Sequence, residues 1–329
     1  MRILGEPTIM RPFLSGKVSV IIPTYNHGHF IAEAIASVLK QTYDNIEVII
    51  IDNYSTDNTE KIVSDFLKDN RVKYYQFDNK GVIAKARNFG IAKSTGEYIA
   101  FLDADDIWKE DKLTIQLKYF NVEIKGIATQ FLPIGDTQSC HNHLDKLLGS
   151  NDYKDFSYKD ILLQNPIMTS SLLMRREDFD KVGRFDESVD FRFIEDWELW
   201  LRLSKLGKIR VLALPLLEYR VELKNGRDCR DVAKRLLLVI DKHQYLGKGN
   251  FWNTRIARGN CYATIGKAYL DAGDCRGLIY YLRSLSGISG VIAKKRSVAG
   301  LLLYLIPLRI RKRIEKFFKC WFLKNIHLK

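Results

Sequence analysis

Residues 18–53 read VSVIIPTYNHGHFIAEAIASVLKQTYDNIEVIIIDN. Two short, largely β-branched runs, 18–22 and 46–51, flank a segment, 30–41, whose apolar residues recur at helical spacing. Such runs fit strands buried on both faces, as in a parallel sheet. The unit therefore reads strand, helix, strand. The pattern then repeats. Asp57, with Glu60 three residues on, is a plausible N-cap for a helix to about Leu67. Residues 72–76 read as a third strand, 82–93 as a helix and 98–102 as a fourth strand. This alternation predicts an α/β domain with a doubly wound, mostly parallel sheet flanked by helices. Ligands of such sheets bind beyond the carboxyl ends of the strands.

Further along, 111–122 looks helical and 137–158 reads as a polar loop. Residues 171–174 and 209–214 read as strands, with a helix over 196–206 between them. From 226 the chain turns helical, over 231–243, 254–272 and 275–284, with a hairpin turn at Gly273. The organisation expected is an extension (1–16), a catalytic domain (17–224), a helical hairpin region (225–290) and a basic amphipathic tail (291–329).

With 329 residues and 46% hydrophobic content, the chain can build one large domain and a smaller appendage. Its five cysteines form no C-x-x-C pair, which favours a reducing compartment over a disulfide framework or zinc site. The first 16 residues lack the unbroken apolar core of a signal peptide. The apolar run 298–307 is about half of the roughly 20 residues that span a bilayer, so no transmembrane helix is expected. The net charge of +13 sits mostly in 291–329, where eleven Lys and Arg face one acid, Glu315. Interleaved Phe317, Phe318, Trp321 and Phe322 give that tail the composition of an interfacial helix on an anionic membrane. The alternative is a helix packed on the catalytic domain. No nucleic-acid-binding module is visible.

The chemistry concentrates at strand ends. Asp103, Asp105 and Asp106 follow the fourth strand, and three carboxylates in four residues repel one another unless a cation neutralises them. Oxygen ligands on a short turn suit Mg²⁺ or Mn²⁺ shared with a diphosphate. Asp52 ends the second strand and is either a turn former or an acceptor for the N3–H of uracil. Tyr25 and the backbone of Pro23, Thr24 and Asn26 can flank that base. Arg87 can meet diphosphate or acidic-cluster charge, or form a surface ion pair. Asp196 is either an N-cap or a general base, with Glu195 and Trp197 beside it as candidate contacts to acceptor or donor sugar. His27 and His29 fit loop roles better than metal ligation. No G-x-G-x-x-G follows the first strand, which argues against a nicotinamide-dependent dehydrogenase.

The stretches VSVIIPTYN (18–26), IIIDNYSTDNT (49–59), GVIAKARNFGIAKSTGEYIAFLDADD (81–106) and VGRFDESVDFRFIEDWELWLRL (182–203) closely resemble family 2 glycosyltransferases of the GT-A fold. The resemblance covers roughly residues 17–222. It implies that Asp52 contacts uracil, that Asp103 lies against the nucleotide and that Asp105 ligates the metal. It makes Asp196 the catalytic base, with Pro23, Thr24 and Tyr25 lining the nucleoside pocket and Arg87 near it. It implies an inverting, metal-dependent transfer from a UDP-sugar to a glycan acceptor, lipid-linked or free, and the basic tail adds the inner face of the cytoplasmic membrane as the expected location. The alternative is a catalytically idle nucleotide-sugar-binding scaffold. Two features depart from the family. Tyr54 stands where a glycine is common, which puts the loop geometry at issue. No Q-x-x-R-W follows Asp196, which points to one sugar added per encounter.

Overall fold

The computed structural model describes residues 16–135, 151–221, 229–245, 251–286 and 298. Nearly all of the expected N-terminal extension and basic tail, and residues 137–150 of the expected loop, lie outside these residues. The chain divides into two units, Met1–Gly226 and Arg227–Lys329.

The first unit holds β1 (Val18–Thr24), α1 (Ile31–Leu39), β2 (Ile46–Asp52), α2 (Thr59–Phe66), β3 (Val72–Gln76), α3 (Ile83–Lys93) and β4 (Tyr98–Phe101). It continues with β5 (Ile107–Trp108), α4 (Lys112–Leu117), β6 (Ile124–Gly135), β7 (Tyr153–Phe156) and α5 (Tyr158–Leu163). It ends with β8 (Leu173–Arg175), α6 (Arg176–Val182), α7 (Glu195–Leu203) and β9 (Lys208–Val221). One nine-stranded sheet runs β3-β2-β1-β4-β8-β6-β9-β5, with β7 on β9. Strands β1 to β4 are mutually parallel, β8 is antiparallel to β4 and β6, and β6 and β9 are parallel. The chain winds from β1 outward to β3, then crosses to β4 on the other side of β1. That reversal leaves a crevice beyond the carboxyl ends of β1 and β4.

Every residue of β1 and β2 is buried. Helix α1 covers them with Ile31, Ala34, Ile35 and Val38, one face at helical spacing. Each such side chain, taken wholly out of water, contributes roughly 1.5–3 kcal/mol. Helix α3 is different, because Arg87 and Asn88 are among its buried residues. It also sits very close to the sheet. A Cβ on Gly90 would lie 2.6 Å from Ile21 Cγ2 and 3.2 Å from Ile51 Cγ1. Glycine at 90 therefore sets the depth at which α3 carries Arg87.

Several elements differ from expectation for local reasons. Helix α2 starts at Thr59, and Asp57 stays outside it. The Asp57 carboxylate accepts from the Thr59 N–H (3.0 Å) and from the Gly28 N–H (2.9 Å), so it ties the helix start to the first loop. Helix α4 is shorter than expected, and Asn121 Oδ1 turns the chain by accepting from the Glu123 and Ile124 N–H groups. Residues 153–163, expected mostly as loop, form β7 and α5. Ser157 and Asp160 make a reciprocal capping box there, and Arg210 holds Asp155 at 2.6 and 2.8 Å. The last strand runs to Val221 because it pairs along the whole of the 12-residue β6, an element not anticipated at all.

The second unit contains α8 (Cys229–Tyr245), α9 (Phe251–Asp271) and α10 (Gly277–Ser286). Helices α9 and α10 meet at Gly273, whose φ of +76° is cheap only for glycine. Ala233, Ile265 and Tyr269 form its core. Among the described residues no helix is long and apolar enough to cross a membrane.

Gly90→Ala is expected to lower stability by about 1–3 kcal/mol through overpacking. That outweighs the roughly 1 kcal/mol that alanine gains over glycine inside a helix. A urea midpoint at or above that of the parent chain would contradict this close packing.

Candidate active site

The first wall of the crevice is built by β1 and β2, whose register pairs Thr24 with Asp52. Pro23 and Thr24 are buried, and the Thr24 hydroxyl has no hydrogen-bond partner among the described residues. Tyr25 emerges 51% exposed. Asn26 takes a left-handed φ of +54°. Its N–H donates to Ser55 Oγ (2.8 Å), and its Oδ1 accepts from the Thr56 N–H (2.7 Å). The two strand ends are thus laced together.

Asp52 is wholly buried, not solvated. Its Oδ1 accepts from the Ser55 N–H (3.0 Å) and hydroxyl (2.5 Å), and its Oδ2 from the Tyr74 hydroxyl (2.6 Å). Burial and this bond to a carboxylate push the Tyr74 phenol well up, so it stays a donor. A carboxylate has about four acceptor positions, and the one left over lies on Oδ2. Tyr54 is 53% exposed and left-handed, with φ +56°. The tyrosine adopts a backbone that glycine takes freely, at a cost of order 1–3 kcal/mol.

The second wall is the loop after β4. Its three acids have three separate environments. Asp103 and Asp105 are half-buried and Asp106 is buried. Asp103 Oδ1 accepts from Arg87 Nη2 at 2.9 Å. Asp106 Oδ1 accepts from the Arg220 N–H at 3.0 Å, and Arg220 Nε donates to the Asp105 carbonyl at 2.9 Å. Burial, and then the charges of Asp103 and Asp105, push the Asp106 carboxyl well above the usual range. The expected repulsion is therefore relieved partly by an internal cation and partly by holding one acid toward its neutral form.

Arg87 joins this loop to the third wall. Its Nη1 donates to Glu195 Oε1 at 2.7 Å, and it is only 3% exposed. It is a buried bridge between two acids 92 residues apart, Asp103 and Glu195, and not a surface ion pair. Burial works against its charge, but the carboxylates of Asp103, Glu195 and Asp196 outweigh that and raise its pKa further. The next residue, Asp196, is half-buried. Its Oδ1 accepts from the Trp197 N–H (2.6 Å) and its Oδ2 from Thr169 Oγ1 (2.9 Å). Burial and the Glu195 charge push its carboxyl to about 6, against the pull of Arg87, Thr169 and the Trp197 N–H. Trp197 faces away, buried, with its indole N–H donating to the Ile161 carbonyl at 2.7 Å.

The crevice thus presents the carboxylates of Asp103 and Asp105 on its second wall and that of Asp196 on its third. Among the described residues no group of three or more His, Cys, Asp or Glu could hold a metal by itself. Half-buried carboxylates at a sheet edge, all hard oxygen donors, fit a cation that keeps most of its shell as water and phosphate oxygens. Thr169, Ser170, Ser55 and Tyr74 also serve the site and carry no charge, and Arg220 serves it as a cation on the last strand whose place beside the acidic loop no spacing in the sequence marked.

The profile of glycosyl transferase family 2 matches residues 19–183, about half of the chain. An uncharacterized glycosyltransferase of Rickettsia felis is 52% identical over 103 residues, which is 31% of this chain and 17% of that protein. The chain thus spans under a fifth of that relative's length. TuaG of Bacillus subtilis, a glycosyltransferase named for teichuronic acid biosynthesis, is 33% identical over 191 residues, 58% of this chain and 73% of TuaG. Among solved structures, the mannosyltransferase PcManGT of Pyrobaculum calidifontis, in complex with GDP-Man and Mn²⁺, superposes with a TM-score of 0.61 at 20% identity. That match covers 95% of this chain and 88% of PcManGT, and it shows a common GT-A fold.

Arg87→Met keeps most of the volume but leaves the buried Glu195 and the half-buried Asp103 without a counter-charge. The expected loss in urea unfolding at neutral pH is about 3–5 kcal/mol. Arg87→Lys can hold only one of the two acids and should lose less. Equal stability in all three proteins would mean that the bridge contributes nothing.

Proposed function

This chain belongs to glycosyl transferase family 2, and we propose that it moves one sugar, with inversion, from a UDP-sugar to a hydroxyl of a glycan acceptor. The acceptor is free or lipid-linked, in the assembly of a polysaccharide, O-antigen or capsule. One observation carries this reading: a single guanidinium, Arg87, joins the acidic loop at Asp103 to Glu195, the neighbour of the half-buried Asp196. One metal-holding loop and one separate carboxylate are the minimal inventory for an inverting transfer.

In this reading Pro23, Thr24, Tyr25 and Asn26 line the nucleoside pocket, with the exposed Tyr25 ring against the base. Asp52 accepts the uracil N3–H through its remaining Oδ2 position. Asp103 lies beside the nucleotide, and Arg87 acts on that pocket by holding Asp103. Asp105, with diphosphate oxygens, would hold Mn²⁺ or Mg²⁺, whose charge lets the nucleoside diphosphate leave without a proton donor. Support for the metal comes from the hard-oxygen loop and from PcManGT, whose structure is a complex with GDP-Man and Mn²⁺.

Asp196 is the base. It takes the proton of the acceptor hydroxyl as that oxygen attacks the anomeric carbon. The bond from that carbon to the diphosphate breaks on the opposite face, and its electron pair leaves with the nucleotide. A carboxyl near 6 is ionised at neutral pH and more basic than a free aspartate, which suits this task. Glu195 keeps Arg87 in place beside it.

Residues 17–224 are the catalytic domain and 225–290 a helical hairpin region. The basic tail, 291–329, holds the enzyme on the inner face of the cytoplasmic membrane, each cation worth about 1 kcal/mol near an anionic surface.

Calorimetry with UDP should show tighter binding when Mn²⁺ is added, and no change would remove the role of Asp105; tighter binding of GDP than of UDP would overturn the uracil assignment. Asp196→Asn should keep UDP binding and lose transfer, whereas normal turnover would exclude Asp196 as base. The acid limb of kcat should fall about tenfold per pH unit below roughly 6, because only the ionised carboxylate accepts a proton. Deleting 291–329 should release the protein from anionic vesicles, and unchanged co-sedimentation would rule out the tail as the anchor.

A further inference from the structure

The short turn Thr169–Ser171 leads into β8, and β8 pairs with β4 through Leu173 and Ala100. That register sets Ser170 beside the acidic loop. Ser170 Oγ accepts from the Asp103 N–H at 3.1 Å. Its carbonyl accepts from Trp108 Nε1 at 2.7 Å. The preceding residue reaches the other wall of the crevice: Thr169 Oγ1 donates to Asp196 Oδ2 at 2.9 Å. Thr169, Ser170 and Ser171 are all buried. Two neighbouring hydroxyls therefore grip the metal-side loop and the base, one each.

We propose that Thr169 is the positioning residue for Asp196, and that the 169–171 turn fixes the separation between the acidic loop and the base. This rests on the reading of Asp196 as the base. A carboxylate turns about two side-chain torsions. With one oxygen on the Trp197 N–H and the other on Thr169, both torsions are set. Each oxygen keeps a second acceptor position for an incoming hydroxyl. The charged groups that face Asp196 are Glu195 from its own helix and Arg87 from α3. The Arg87 guanidinium spends its Nη groups on Glu195 and Asp103, so Thr169 is the side chain that aims Asp196. Because Ser170 is anchored to Asp103, any shift of the turn moves the base relative to the donor loop. A displacement of about 1 Å in such a constellation can cost on the order of 100-fold in rate.

The test uses the full chain with UDP, Mn²⁺ and the sugar donor on which it turns over. Thr169→Val keeps the branched shape and removes the donor. Its kcat is expected to fall about 10- to 100-fold while UDP affinity stays within about twofold. Its acid limb should move to higher pH, because a hydrogen bond to the ionised carboxylate has been lost. Thr169→Ser, which keeps the hydroxyl, should recover kcat to within about threefold of the parent. Turnover in Thr169→Val equal to the parent, or a Thr169→Ser protein as slow as Thr169→Val, would overturn the proposal. Asp196→Asn run in parallel separates the two ideas. If that variant is active, the base assignment itself fails. If it is inactive while Thr169→Val is normal, only the role of Thr169 fails.

Discussion

A guanidinium held between two carboxylates and shut off from water has to be placed from several directions at once. Arg87 lies on α3, Asp103 after β4 and Glu195 at the start of α7. Helix α3 reaches the right depth because Gly90 lets it lie against Ile21 and Ile51. The adjacent Asn88 fixes the approach to α7 by donating to the Phe185 carbonyl and accepting the Phe185 N–H, each at 3.0 Å. The Phe185 ring then lies 5.6 Å from the guanidinium carbon. Most of the crevice follows from this contact. A buried cation without both acids would be costly, and each acid without the cation would be costly too. The bridge thus specifies one arrangement of three elements more than it stabilises any of them.

The same logic governs the loop after β4. Three like charges in four residues could have been relieved by one bound cation. The fold instead spreads the relief over a guanidinium for Asp103, a backbone N–H for Asp106 and partial exposure for Asp105. The charge of the loop is thus balanced largely from within the fold.

Much of the half built by β1 to β4 was legible beforehand. Strands β1 to β4 and helices α1 to α3 come from unbroken β-branched runs and from helical spacing, both strong local signals. The other half was harder. Strand β6 mixes Gly126, Gln130 and Pro133 with its apolar residues, and β7 is mostly polar and faces solvent on its outer side, so neither carries a clean period of two. Charged site residues were visible one by one, but their grouping across the chain was not. Arg87 read equally well as a surface ion pair until the fold buried it. Trp197 read as a sugar contact from its place beside Asp196, whereas its side chain projects from α7 into the core. Thr169 and Ser170 were invisible because a hydroxyl on a turn has no charge, no period and no spacing to betray it.

Strand β9 has a temporal consequence. It pairs with β5, β6 and β7, and Ile124 of β6 meets Lys208 far down the chain. Such long-range pairings close slowly and late, since a large loop must be ordered before any contact rewards it. The parallel strands β1 to β4, by contrast, find their neighbours through short crossovers near the N-terminus. During synthesis strands β1 to β4 can be assembled while Arg220 is still unmade. Yet Arg220 is what receives Asp106 and braces the Asp105 carbonyl. The acidic loop cannot take its final form until the ribosome has released the last strand of the unit. Maturation of the crevice is thereby timed by the order in which the chain is made.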